Sequence, residues 1–207
     1  MVRAATGARP VKPFAEACEQ NKHPILAVLR RHLPEKGVLL EIGAGTGQHA
    51  VFFAARFPGL QWHASDVAEQ LPGLAAWIDE ARLPNLHGPL ELDVTRDPWP
   101  LAAADAVFSA NTVHIMAWPQ VEAMFAGIGR LLRPGGVFCL YGPFNYGGRY
   151  TAPSNQRFDA WLRQRDPASG VRDFEALDAL ARGAGLELAA DHAMPADNRT
   201  LVWRRPA

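Results

Sequence analysis

The sequence predicts an α/β fold: a seven-stranded, mostly parallel sheet with helices on both faces, finished by an antiparallel pair of strands. Three observations carry this reading. Short apolar runs alternate with stretches of helical spacing along the 207 residues, the pattern of parallel strands joined by helices. The first run, Val38-Leu39-Leu40-Glu41-Ile42, breaks into Gly43-Ala44-Gly45-Thr46-Gly47 and resumes as a helix at Gln48-His49-Ala50, so that helix amides face whatever lies beyond the strand. The last two runs, 186–190 and 199–204, alternate as strands do and are joined by the turn-rich Met194-Pro195-Ala196-Asp197-Asn198, which makes them antiparallel neighbours.

In chain order, residues 1–9 are small and polar and read as a disordered tail, with order expected from about Pro10. Pro24 is suited to the first position of a helix, after which Ile25, Val28, Leu29, His32 and Leu33 share a face. The polar Glu19-Gln20-Asn21-Lys22 ahead of it reads as a cap or a cofactor contact. Behind the glycine turn, the helix from Gln48 buries Ala50, Phe53, Ala54 and Phe57 and is stopped by Pro58-Gly59. A strand over 60–65 ends at Asp66, a helix over 68–82 shows Leu71, Leu74, Ile78 and Ala81 on one side, and a strand over 89–94 is closed by Asp93. The fourth strand, 104–110, runs into Asn111-Thr112-Val113-His114. A helix carrying Val121, Met124, Phe125, Ile128 and Leu132 ends in Arg133-Pro134-Gly135-Gly136, and the fifth strand is 137–141. Residues 142–155 lack periodicity and mix glycines with aromatics, as a mobile cover over a site would. Helices are expected over 154–165 and 173–184.

Composition narrows the function classes. With 21 basic against 21 acidic residues there is no global field to draw nucleic acid or an anionic membrane. Two cysteines, Cys18 and Cys139, lie far apart, which argues against a disulfide scaffold and fits a reducing, cytoplasmic setting. The first residues lack the apolar stretch of a signal peptide, and no run is long enough to span a bilayer. The histidines, at 23, 32, 49, 63, 87, 114 and 192, show no zinc-site spacing, and there is no Cys-x-x-Cys.

A glycine turn of this kind serves either a dinucleotide or S-adenosylmethionine. The dinucleotide fingerprint, Gly-x-Gly-x-x-Gly or Ala, fails at Gln48 when counted from Gly43; counted from Gly45 it is met by Gly47 and Ala50 but starts beyond the strand. Glu41 is a carboxylate on an apolar strand and needs a donor. Asp66, about twenty residues past the glycines, is placed to accept hydrogen bonds from ribose hydroxyls.

Glu41-Ile42-Gly43-Ala44-Gly45-Thr46-Gly47 and the Arg-Pro-Gly-Gly turn before an apolar strand resemble class I S-adenosylmethionine-dependent methyltransferases. Over nearly its whole length the chain further resembles the small methyltransferase-like family long described as a domain of unknown function. That likeness rests on Glu19-Gln20-Asn21-Lys22-His23-Pro24-Ile25-Leu26, Gly45-Thr46-Gly47-Gln48-His49-Ala50, Ser65-Asp66, Leu92-Asp93-Val94-Thr95, Asn111-Thr112-Val113-His114, Tyr141-Gly142-Pro143-Phe144, Ser154-Asn155, Arg172-Asp173 and Met194-Pro195-Ala196-Asp197-Asn198. Gln20 departs from it, since arginine is the residue expected there. The resemblance implies a Rossmann-like fold, S-adenosyl-L-methionine as cofactor, and cofactor contacts at Asn21, Glu41, Gly43, Ala44, Gly45, Gln48, Asp66, Asp93, Val94 and Asn111.

Methyl transfer is an in-line displacement in which the protein orients the acceptor and handles its proton, so no metal is expected. His114, past the fourth strand with an ordinary pKa near 6.5, is the expected base, and Tyr141 its companion. Phe144, Asn145 and Tyr146 of the cover are the expected acceptor contacts. The end of the fourth strand lacks the Asn/Asp-Pro-Pro-aromatic signature used for flipped bases, so a small-molecule acceptor is expected, handled by a monomer or homodimer without nucleic-acid or membrane partners. Two alternatives remain: a cofactor-binding module without transferase activity, and an NAD-dependent oxidoreductase.

Overall fold

The computed structural model describes residues 12–207; the tail expected at 1–9 lies outside the described residues. The elements are α1 (Glu16–His32), β1 (Gly37–Ile42), α2 (Gln48–Ala54), β2 (Leu60–Asp66), α3 (Leu71–Ala81), β3 (Leu86–Glu91), β4 (Ala104–Ala110), α4 (Trp118–Leu131), β5 (Leu132–Gly142), β6 (Phe144–Asn145), α5 (Pro153–Arg165), β7 (Arg172–Asp173), α6 (Phe174–Gly183), β8 (Glu187–Ala193) and β9 (Arg199–Arg204). A seven-stranded sheet runs in the order β3-β2-β1-β4-β5-β9-β8. β1 to β5 pair in parallel, and β9 lies antiparallel between β5 and β8. This is the expected fold. The strand order reverses between β1 and β4, and in open parallel sheets ligands bind in the crevice at such a switch point.

Alternation along each strand splits the core in two. Leu39, Trp62, Phe108, Cys139 and Val202 face α1, α2 and α3, together with Phe53 and Leu29. Their sequence neighbours Leu40, Val107, Phe138, Leu201 and Trp203 face the other way, toward α4 and α6, where they meet Phe125, Ile128 and Leu177. A period of two puts successive side chains on opposite faces, and apolar residues at both parities mark strands covered on both sides. Among the described residues no helix is long and apolar enough to cross a membrane.

Several boundaries differ from expectation. Pro24 does not open α1; it lies inside it, and the polar residues 19–22 are helical. Glu16 and Glu19 in the first turn and Arg30, Arg31 and His32 in the last suit the helix dipole. Pro24 removes the amide that would reach the Gln20 carbonyl. β3 begins and ends earlier than expected because its partner dictates its length, Trp62 pairing with Leu86 and Asp66 with Glu91. Asp93 therefore sits in the loop beyond the strand. The turn around Gly135 does not precede β5 but is a bulge within it: Ala104 pairs with Leu132 and Ala106 with Val137. Finally, the supposedly irregular 142–155 contains β6, which pairs in parallel with β7, and a tight turn in which Tyr146 and Arg149 exchange backbone hydrogen bonds of 3.1 Å.

Candidate functional site

At the C-terminal end of β1 the chain turns through three glycines with positive φ, 72° at Gly43, 56° at Gly45 and 92° at Gly47. Two of them are dictated by packing. A Cβ on Gly43 would stand 2.6 Å from Thr112 Oγ1, and one on Gly47 would stand 2.8 Å from Leu74 Cδ1. Gly45 differs, because a Cβ there would meet nothing within 4 Å. The backbone at Gly45 thus borders open space, shaped as a cradle rather than as a contact. Ala44 beside it is buried.

Glu41 is 2% exposed and takes its donor from Trp62, whose Nε1 lies 2.6 Å from Oε2. Burial pushes its pKa up to about 8, against the Trp62 hydrogen bond and helped by the Asp66 charge. The carboxyl is thus mostly protonated at neutral pH. Asp66 accepts from the Gly45 amide at 2.6 Å with Oδ2 and from the Val67 amide at 2.8 Å with Oδ1. Burial raises its pKa and the two amides oppose the rise. One amide per oxygen leaves further acceptor capacity on the carboxylate. Asp93 organises its own turn, accepting from the amide and hydroxyl of Thr95 at 3.0 and 2.7 Å, which lowers its pKa. Val94 is buried beneath it.

Gln48 ties α2 to the start of α1: Oε1 accepts from the Ala15 amide at 2.6 Å and Nε2 donates to Glu19 Oε1 at 2.9 Å. Its backbone amide donates to Thr46 Oγ1 at 3.4 Å, and the residue is buried. Asn21 is buried and its Oδ1 lies 2.7 Å from His49 Nε2. Burial drives His49 down to about 4. Burial pushes the Tyr141 phenol up, and the neighbouring Asn21 side chain partly offsets that push. Asn111, just past β4, holds a left-handed φ of 57°, a conformation that asparagine tolerates better than most residues.

Asn21, Asn111, His114 and Tyr141 meet at one cavity of about 640 Å³. Its far walls are Ile115, Pro143, Phe158, Trp161, Leu162 and Arg165, with Asn155, Pro195, Ala196 and Asn198 closing the top. Asn155 Nδ2 donates to the Asp197 carbonyl at 3.1 Å and Ser154 Oγ to Asp197 Oδ2 at 2.9 Å, so the start of α5 is fastened to the turn between β8 and β9. The α5 contribution was missed in the sequence, although Phe158, Trp161, Leu162 and Arg165 recur at helical spacing and mark one face.

His114 is 4% exposed and its Nδ1 is buried without a partner. Burial lowers its pKa to about 4, and the Arg172 charge adds to the shift. The expectation of an ordinary imidazole pKa is thereby corrected: His114 is neutral at physiological pH. Of the expected acceptor contacts, Phe144 has no exposed surface and belongs to the core over α4 and α6, so it has nothing to offer an acceptor. Asn145 buries Oδ1 without a partner. Tyr146 is turned away, donating to Asp191 Oδ2 at 2.8 Å and stacked on Phe174 at 5.2 Å. The adjacent Gly147 amide is held by Glu175 at 2.9 Å. The far wall of the cavity is thus α5, whereas the 144–149 tip leans on α6.

Residues 12–205 match the family described as protein of unknown function DUF938. The chain belongs to that family. Solved structures give this DUF938 member its fold relatives. An O-methyltransferase family protein from Burkholderia thailandensis superimposes with a TM-score of 0.77 at 15% identity, over 90% of this chain and 56% of its own. Human N-acetylserotonin methyltransferase, determined in complex with SAM, gives 0.76 at 18% identity over 93% and 53%. The mitomycin 7-O-methyltransferase MmcR gives 0.77 at 16% identity over 91% and 54%. The DUF938 chain thus spans a little over half the length of these proteins, and at such identities the likeness is one of fold.

Proposed function

We propose that the protein is an S-adenosylmethionine-dependent methyltransferase acting on a small-molecule acceptor. The observation that carries this is Gly45, a left-handed glycine bordering open space at the switch point of the sheet, with its amide on Asp66. The cradle fits a nucleoside whose ribose hydroxyls donate to the remaining acceptor sites of Asp66, with Asp93 and Val94 beyond for the base. Asn21, Asn111 and the backbone from Gly43 to Gln48 border the other end, with Glu41, held by Trp62, on the strand that leads into the turn. When bound, the cofactor supplies a methyl group made electrophilic by its sulfonium. His114 and Tyr141 hold the acceptor's nucleophilic atom by hydrogen bonds, and His114, neutral but a weak base, is first in line for the departing proton.

The antiparallel β9 between β5 and β8 departs from the dinucleotide-binding strand order of 3-2-1-4-5-6 and weighs against the oxidoreductase alternative. The deciding experiment is a thermal melt with S-adenosylhomocysteine or NAD. A ligand at a hundred times its Kd adds about 2.7 kcal/mol of stability, and the shift is expected with the sulfur nucleoside. Protection by NAD instead would sink the reading. Asp66→Ala is expected to weaken S-adenosylhomocysteine at least about tenfold, since each charge-assisted hydrogen bond lost is worth about 1.5–3 kcal/mol; calorimetry giving an unchanged Kd would remove Asp66 from the site.

A further inference from the structure

One face of α5 forms a wall of the cavity, and along it flat groups are stacked in series. The Phe158 ring meets His114 edge-on with centroids 5.1 Å apart and lies nearly parallel to Trp161, at 5.8 Å and 17°. The Arg165 guanidinium lies 4.6 Å from the Trp161 ring centroid. This ladder climbs from the floor to the rim: His114 is 4% exposed and Trp161 47%. Trp161 and Ile115 are among the few large apolar side chains left in solvent, and both border the cavity. Apolar surface uncovered at a cavity mouth is what an apolar ligand would bury.

The charge of the lining is as informative as its shape. Among the described lining residues Arg165 alone carries a fixed charge, and no carboxylate is present. Arg165 takes part in none of the ion pairs among the described residues, whereas its neighbour Arg163 is engaged by Asp159 at 2.8 Å. A cationic acceptor would meet positive charge with nothing to compensate it. An anionic one would find an unpaired guanidinium whose planar fork matches two carboxylate oxygens.

Resting on the methyl-transfer reading, we propose that the acceptor is a flat, largely apolar acid. Its ring or conjugated system lies along Phe158 and Trp161, its carboxylate meets Arg165, and its nucleophilic atom reaches the floor beside His114 and Tyr141. From Phe158 to Arg165 the helix rises roughly 10 Å at 1.5 Å per residue, which sets the length between the acid group and the nucleophile. The cavity, about 640 Å³ and shared with the cofactor's end at Asn21 and Asn111, falls in the range of about 300–1,000 Å³ usual for small-molecule sites.

The test is calorimetric titration of the protein, with and without saturating S-adenosylhomocysteine, by para-hydroxycinnamate, its methyl ester and tyramine. The acid is expected to bind at least tenfold more tightly than the ester, with tyramine undetectable. Arg165→Gln should bring the acid down to the level of the ester, Arg165→Glu should favour tyramine, and Trp161→Ala should weaken acid and ester alike. Arg165 is exposed at the end of α5, and an unchanged melting temperature verifies that its variants fold. Equal binding of acid and ester, a preference for the amine, no binding of any probe at millimolar concentration, or selectivity that survives Arg165→Gln each overturns the proposal. The same titrations judge methyl transfer separately. Failure to bind S-adenosylhomocysteine with the acid preference intact sinks the transferase reading alone, whereas cofactor-product binding without acid preference sinks the acceptor assignment alone.

Discussion

Replacing His114 with alanine is expected to lower the rate of methyl transfer by about a hundredfold or more while leaving S-adenosylhomocysteine affinity nearly unchanged. The ring lies at the cavity floor, and its Nδ1 is buried without a partner. The pH dependence follows from the sign of the shift. A pKa held near 4 by burial keeps the ring deprotonated from pH 5 upward, so the activity that depends on it falls only as pH drops through about 4 and is level across 6.5. The measurement is kcat against pH for both proteins with an acceptor that the wild type methylates. A variant within a few-fold of wild type, or an acid limb centred at 6.5, would remove His114 from this role.

Glu41→Gln is expected to do two opposite things: stabilise the fold at alkaline pH and weaken the cofactor. Its folded pKa of about 8 lies above the ordinary value of 4.5, so the folded state keeps a proton that the unfolded chain releases. The stability this contributes is complete below 4.5 and is lost as pH rises through 8. His49 and His114, lowered to about 4 from 6.5, act in the other sense, contributing above 6.5 and losing that contribution as pH falls through 4. Between 6.5 and 8 Glu41 is the one of the three that changes. Glutamine keeps an oxygen for the Trp62 donor without the titration, so wild type should lose at least about 1 kcal/mol relative to the variant over that interval, one pKa unit being worth about 1.4 kcal/mol. Melting curves at pH 6.5 and 8 measure it; parallel curves for the two proteins would contradict the assignment. Loss of the buried acid beneath the glycine turn should at the same time reduce S-adenosylhomocysteine affinity.

What was legible in the sequence was whatever repeats or is local. The span of β4 was read to the residue, because 104–110 is a sharply bounded apolar run, and the terminal pair announced itself by alternation. A single residue outweighs its surroundings only locally: Pro24 suits a helix start, yet α1 begins at Glu16, where Glu16 and Glu19 supply the charges a first turn prefers. β6 and β7 have two residues each, too few for any period. The site was half legible. The glycine turn, Asp66 and His114 are local signals, but the donor for Glu41 comes from Trp62 in the next strand, and the burial that shifts His114 comes partly from Phe158 on a later helix. Phe144 was assigned to an acceptor because aromatics in a glycine-rich stretch suggest a cover. Only the packed second core shows that its ring is needed inside.

Across the pairing of β6 with β7, Phe144 is registered against Arg172 and Asn145 against Asp173, so the chain departs and returns at neighbouring strands, about 4.8 Å apart. Everything from 146 to 171, including the whole of α5, hangs from that narrow neck as a cassette. It is fastened to the rest by Gly170 on the His114 carbonyl, Asn155 and Ser154 on Asp197, Tyr146 on Asp191 and Gly147 on Glu175. Under the reading proposed here, the selective wall lies inside this cassette while the glycine turn and the switch point lie outside it, so exchanging residues 146–171 is expected to change the acceptor and spare the cofactor cradle.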